Sequence, residues 1–273
     1  MNANSGQQRR ILVTGSNGLI GRTVIDAWRE SGRYAPVGLA RSEGPYADIV
    51  ADIVDLDALV GAMNGIDAVV HLAATSAVDS KWEAVRDSNL IGTYNVFEAA
   101  RRTGVEKVIF ASSNHAVGTF ETSNRPELYD LDDGRVIDHT AEIQPDSLYG
   151  VSKAYGEAMG RYYVDHHGLS VVCLRIGSWT GAEAEMSPQN LWDESRVDEP
   201  DIEAKRRRYR ATWLSDRDGV HLIECALETP KRWFLCYGIS NNPRRFWDIE
   251  HARQGIGYNP QDSAPEEIMP GVR

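Results

Sequence analysis

The spacing of three glycines constrains this chain more than any other feature. Thr14-Gly15-Ser16-Asn17-Gly18-Leu19-Ile20-Gly21 follows a short apolar run, residues 10–14, and opens a segment of helical spacing, residues 19–29. A strand that turns through G-x-x-G-x-x-G into a helix is the phosphate-binding turn of a doubly wound α/β sheet. Gly15 permits the tight turn, Gly18 a close approach by a pyrophosphate, and Gly21 close packing of helix on sheet. Free N–H groups and the positive end of the helix dipole then face the phosphates. Glycine triplets also occur in ordinary turns, so position decides. Here the triplet lies between the right elements, near the chain start, and dinucleotide binding outweighs a purely structural turn. Gly15, Asn17, Gly18, Leu19, Ile20 and Gly21 are the expected contacts.

The following segments keep the rhythm that such a sheet needs. Apolar runs at 35–40, 68–72, 107–111 and 170–176 read as strands, with helices at 56–63, 89–103 and 148–167 between them. This alternation predicts a Rossmann-type, doubly wound parallel sheet with a small C-terminal substrate lobe. The continuous apolar character of the strands fits burial on both faces. Past Gly177 the pattern breaks. Residues 181–209, rich in Glu, Asp, Arg and Pro, read as a long loop, and a helix at 216–227 and a strand at 233–239 follow. The expected division is a flexible tail at 1–9, a dinucleotide-binding core at 10–177, a substrate lobe at 178–262 and a tail at 263–273.

Composition narrows the function. The chain has 273 residues, 42% hydrophobic and 25% charged, which is ordinary globular usage. A formal net charge of −11 argues against binding nucleic acid or an anionic membrane. No apolar run is long enough to span a bilayer, and residues 1–10 lack the apolar stretch of a signal peptide. Cys173, Cys225 and Cys236 show no metal-ligand spacing. A cytoplasmic protein with reduced thiols and no metal is expected.

Tyr149-Gly150-Val151-Ser152-Lys153 opens the helix at 148–167, so Tyr149 and Lys153 share one face. A phenol ordinarily titrates near 10, too high for a base at neutral pH. A nearby ammonium and a positive nicotinamide would lower that value. Ser113, at the C-terminal end of the strand around Phe110, is the expected hydroxyl partner, because ligands meet open α/β sheets at strand ends. Where an acid would select NAD, the chain has Ala40, followed by Arg41 and Ser42. Both can bind a 2′-phosphate, which favours NADP over NAD. Asp52, before Ile53, is placed to meet the adenine amino group or else to cap its own loop.

Taken together, these motifs resemble the extended short-chain dehydrogenases/reductases (the NAD-dependent epimerase/dehydratase family) over roughly the whole chain. More narrowly, F-A-S-S-N-H-A-V-G, L-Y-G-V-S-K-A-Y-G-E, L-R-I-G-S and A-T-W-L-S resemble the uronate dehydrogenases. They also resemble the NAD-dependent glucose-6-phosphate dehydrogenases of salt-loving archaea. The resemblance implies oxidation of a small sugar's anomeric carbon to a lactone. It assigns Tyr149 as base, Lys153 as its activator and ribose anchor, and Ser113 as hydroxyl partner. Leu72, Ala73, Ala74, Asn89 and Ile176 would stand beside the cofactor. Ser76, Asn114, His115 and Ser178 would meet the sugar, and Arg208, five residues before Trp213, an anionic group on it. The sugar is therefore expected to be a uronate or a sugar phosphate. Two features depart from the family pattern: Ala40, and a long stretch between Ser178 and Arg208.

The helices at 89–103 and 148–167 correspond to those that pair across the family's dimer axis, and Tyr155, Met159, Tyr162 and Tyr163 give the second one surplus apolar surface. A homodimer or higher homo-oligomer is expected. A nucleotide-sugar epimerase or dehydratase is the alternative enzyme; the short stretch after Gly177 leaves little room for a nucleotide diphosphate. A non-catalytic dinucleotide sensor is the other alternative, and the retained Tyr149, Lys153 and Ser113 weigh against it.

Overall fold

The computed structural model describes residues 8–181, 187–196 and 198–264. Seven parallel strands form one sheet: β1 (Arg10–Thr14), β2 (Ala35–Ala40), β3 (Ile49–Val50), β4 (Ala68–His71), β5 (Lys107–Ser113), β6 (Ser170–Ile176) and β7 (Trp233–Gly238). Their order is β3-β2-β1-β4-β5-β6-β7. The chain runs outward from β1 to β3, then returns to the other side of β1. The crevice of this doubly wound sheet therefore opens at the C-terminal ends of β1 and β4.

The helices are α1 (Leu19–Ser31), α2 (Leu56–Ala62), α3 (Trp82–Ala84), α4 (Gly92–Thr103), α5 (Gly118–Asn124), α6 (Leu148–His167), α7 (Pro188–Leu191), α8 (Ile202–Thr212), α9 (Asp216–Glu228) and α10 (Glu250–Ile256). Strand side chains alternate between faces, and that period of two sorts the core into two layers. Ile11, Val13, Val70 and Ile109 pack with Trp28 of α1 and Leu222 of α9. Leu12, Val69 and Val108 pack on the opposite side with Phe97 of α4 and Tyr163 of α6.

Several elements differ from the sequence reading. The helix expected at 89–103 begins earlier, and Val85–Ile91 is a π-helix continuous with α3 and α4. The loop expected at 181–209 contains α7, a 3₁₀ turn at Glu194–Arg196 and most of α8; residues 182–186 and 197 lie outside the described residues. Lys, Arg and Ala are good helix formers. In α8 the buried Ile202 and Tyr209 pack with Leu191, which overrides the charged composition. Both β7 and α9, expected within the C-terminal lobe, join the sheet and its cover. A separate apolar cluster joins Val117, Leu128 and Ile137 to Ala211, Phe246 and Trp247, so two distant stretches build the smaller layer over the sheet's end. The expected tails are partly outside the described residues, yet Gln8 donates to the Gly32 carbonyl and Ala264 N–H to Asn242. On α6, Tyr163 is core rather than surplus surface, stacked on Phe97 at 5.5 Å, and Met159 packs on the same layer.

Candidate active site

At the end of β1, Gly15 takes φ +73°, in the left-handed region. A Cβ there would lie 2.8 Å from the Ala73 nitrogen, and one on Gly21 would lie 2.6 Å from the Gly15 carbonyl oxygen. Both positions require glycine. Gly18 caps α1 without a side chain, and the first turn of α1 carries no acidic residue. The first N–H groups of a helix lack intrahelical acceptors. Here no side-chain cap or carboxylate competes with an anion for them, so the cradle fits a dinucleotide's diphosphate.

Two clefts, of about 550 and 240 Å³, meet at this turn and share Gly15, Gly18, Ala73 and Ala74. Asn17, Arg41, Ser42, Asp52 and Ile53 line the smaller one. Asn17 ties that wall together: its amide donates to the Ser42 carbonyl at 3.0 Å and accepts from Tyr46 N–H at 3.3 Å. The Asp52 carboxylate accepts from Val54 N–H at 3.1 Å, a loop cap. Arg41 and Ser42 are exposed.

The larger cleft is lined by Leu19, Ile20, Gly21, Leu72, Ser76, Ser113, Asn114, His115, Tyr149, Lys153, Ile176, Ser178 and Arg208. Asn89 alone of the sequence-derived residues lies behind the wall. It is buried, accepting from Thr75 N–H at 2.8 Å and donating to the Ser152 hydroxyl at 2.9 Å. It thereby ties the loop after β4 to α6.

Ser147 caps α6, its hydroxyl accepting from Gly150 N–H at 3.0 Å, and Tyr149 follows in the first turn. The Lys153 ammonium donates to the Ala111 carbonyl at 2.7 Å and lies 5.4 Å from the Tyr149 ring centroid. One turn on, Glu157 accepts two hydrogen bonds from buried Arg175 of β6, at 2.9 and 2.8 Å, and one from Ser112 of β5 at 2.6 Å. The reactive face of α6 is thus fastened to both strands. Burial lowers the Lys153 ammonium to about 8. Burial also raises the Tyr149 phenol, against a hydrogen bond with Ser113 that lowers it. The Tyr–Lys spacing predicts a lowered phenol; in the protein alone desolvation of the buried phenol dominates.

At the far end, His115 Nδ1 pairs with Asp146 at 2.7 Å, and its ring stands edge-on to Tyr149, 5.9 Å between centroids. Burial would raise the Asp146 carboxyl, but hydrogen bonds with His115 and Ser147 outweigh it and bring it below its ordinary range. Arg208 Nε donates to Glu121 at 2.6 Å, and Nη1 reaches the Ser178 hydroxyl at 3.4 Å. Glu121 also accepts from the Tyr129 hydroxyl at 2.8 Å. Glu121 is absent from the sequence reading, since a lone acid on a short helix carries no motif. His71 is buried between the Thr14 and Thr93 hydroxyls at 2.8 and 3.2 Å. Among the described residues no group of three His, Cys, Asp or Glu could hold a metal. No described helix is long and apolar enough to cross a membrane.

Known proteins are similar to this chain in sequence and in fold. The chain is 39% identical to a NAD-dependent glucose-6-phosphate dehydrogenase of Haloferax volcanii, over 96% of each chain. It is 36% identical to an L-arabinose 1-dehydrogenase (NAD(P)(+)) of the same organism, over 93% of this chain and 97% of that one. The crystal structure of a uronate dehydrogenase from Agrobacterium tumefaciens superposes with a TM-score of 0.72 at 30% identity, covering 93% of this chain and 85% of the other. Residues 11–232 match the NAD dependent epimerase/dehydratase family, and the chain belongs to it.

Proposed function

We propose that this protein oxidises the anomeric carbon of a small monosaccharide to a lactone, with NAD(P) as hydride acceptor. The observation that carries the reading is the Tyr149, Lys153 and Ser113 group, set where the glycine-turn groove opens into a polar cleft. Bound nicotinamide would supply a hydride acceptor at the anomeric carbon. Tyr149, as phenolate, takes the proton of the anomeric hydroxyl while that C–H bond breaks and C=O forms. Ser113 holds the same oxygen, and Lys153 holds the charge on the phenolate. His115, Asn114, Ser76 and Ser178 meet the remaining hydroxyls. The stretch 178–262, with 114–121, supplies the sugar end. Homology to the glucose-6-phosphate and arabinose dehydrogenases supports this over an epimerase. Three free cysteines, two of them buried, fit a cytoplasmic enzyme.

The test is a panel of free aldoses, uronates and sugar phosphates offered with NAD or NADP, following nicotinamide reduction. Lactone formation without epimerised sugar is expected, and a purely epimerising enzyme would sink the reading. Arg41 and Ser42 at the rim of the smaller cleft support NADP as the better acceptor, since a 2′-phosphate needs a cation and Ala40 offers no carboxylate. Arg41→Ala should weaken NADP and spare NAD; equal loss of both would refute the preference.

A further inference from the structure

The three relatives differ in what their named sugars carry away from the anomeric carbon: a phosphate ester, hydroxyls only, or a carboxylate on the ring. Likeness alone does not choose between them. The side chains around Arg208 do.

Arg208 lies 21% exposed at the cleft's far end, on α8. An incoming carboxylate would pair best with a guanidinium edge whose own charge is uncompensated. Here Nε is 2.6 Å from one Glu121 oxygen and Nη2 is 3.5 Å from the other. Nη1 is turned to the Ser178 hydroxyl. Glu121 is no loose surface acid. Its side chain is 4% exposed, and it is held by Tyr129 at 2.8 Å and by Asn114 at 3.5 Å. It therefore cannot swing away to make room. Asp146, behind His115, adds a second carboxylate whose field reaches Arg208. Glu121 thus sits directly on the guanidinium, and the positive charge that a uronate needs is already compensated.

Resting on the proposed sugar oxidation, we infer that Glu121 is a specificity-determining residue that excludes uronates. A carboxylate attached directly to the sugar ring and brought to Arg208 would also meet the buried carboxylate of Glu121, and like charges at such range repel. A hydroxymethyl group meets the same pair as a hydrogen-bonding hydroxyl, accepting from Arg208 or donating to Glu121. A phosphate ester holds its charge two bonds further out, clear of the pair. The substrate class is an aldose with no carboxylate on the ring, free or phosphorylated at its terminal hydroxyl. Of the two anionic sugars expected from Arg208, a uronate or a sugar phosphate, the proposal keeps the phosphate.

Matched pairs test it: glucose with glucuronate, galactose with galacturonate, and glucose 6-phosphate beside them. With the wild type, the aldose or its phosphate should exceed the uronate in kcat/KM by on the order of tenfold or more. A uronate preferred by the wild type overturns the inference, and that arm needs no variant. Glu121→Gln keeps the size and a hydrogen-bonding amide but releases the guanidinium charge. The uronate-to-aldose ratio should then rise at least about tenfold, through KM rather than kcat. An unchanged ratio in a folded variant also overturns it. Thermal melting keeps the two proposals separable. Glucuronate or galacturonate should raise the Tm of the Gln variant and leave the wild type unmoved, whether or not turnover is seen. If no sugar is oxidised, the reaction falls, and the melting shifts still judge Glu121.

Discussion

Two residues carry the plainest expectations. In the proposed oxidation Tyr149 takes the proton of the anomeric hydroxyl, and general-base catalysis is worth about 10²- to 10⁴-fold. Tyr149→Phe should lose turnover by that order while binding of the nicotinamide cofactor, measured by fluorescence, changes little; wild-type rates in that variant would refute the role. His71 gives a pH test. Burial, with Lys153 nearby, lowers its pKa from 6.5 to about 3, so it is neutral in the fold. Between those values the unfolded chain binds the extra proton, and folding stability must fall as pH drops, by up to about 1.4 kcal/mol per unit. Denaturant unfolding at pH 7 and pH 5 should show a smaller acid loss in His71→Asn than in the wild type. Equal losses would mean that His71 titrates freely. Much of this scale was legible beforehand. Gly15 belongs to a glycine spacing and Tyr149 and Lys153 to an i, i+4 spacing that their chemistry fixes locally, while Ser113 is read from its place at the end of a strand. Glu121 has no such signal, because its partner Arg208 is 87 positions away and no local rule links them.

Among the elements, α6 matters most. It presents Tyr149 in its first turn, Lys153 in its second and Glu157 in its third, and it is pinned at the start by Ser147. Loss of an N-cap hydroxyl costs about 1 kcal/mol. Ser147→Ala should therefore lower stability by about that amount in chemical denaturation, and should cut kcat more than KM, because the first turn that holds Tyr149 loosens. An unchanged kcat would show that Lys153 and Glu157 alone fix the helix. Strongly patterned elements such as α6 and β6 were readable to the residue. By contrast α8 was not, because its run Lys205-Arg206-Arg207-Arg208 has the look of solvated loop and its helix is decided by Ile202 and Tyr209 packing on Leu191. The π-helix at Val85–Ile91 was not read either, because such turns are rare and the helix expected there began only at residue 89.

For the molecule as a whole, several large apolar side chains stand exposed among the described residues, and four of them lie on neighbouring helices. Ile91, Tyr94, Val151 and Tyr162 stand between 41 and 48% exposed on the π-helix, α4 and α6. These are the helices that pair across the dimer axis of the family it resembles, and a second copy would bury them. Light scattering should report a dimer at micromolar concentration, and Val151→Glu should shift it toward monomer; a monomeric wild type would end this expectation. The large cleft has a further consequence. Its glycine turn, Tyr149 and Lys153 come from strands and helices up to β6, while Ser178 and Arg208 come from beyond it and Glu121 from a short helix outside the sheet. On the proposed roles of these residues, a duplicated gene can change at 121, 178 and 208 and acquire a new sugar while the residues of the hydride step stay in place. That is how one scaffold could diversify into enzymes for phosphorylated, neutral and acidic sugars without ever passing through an inactive ancestor.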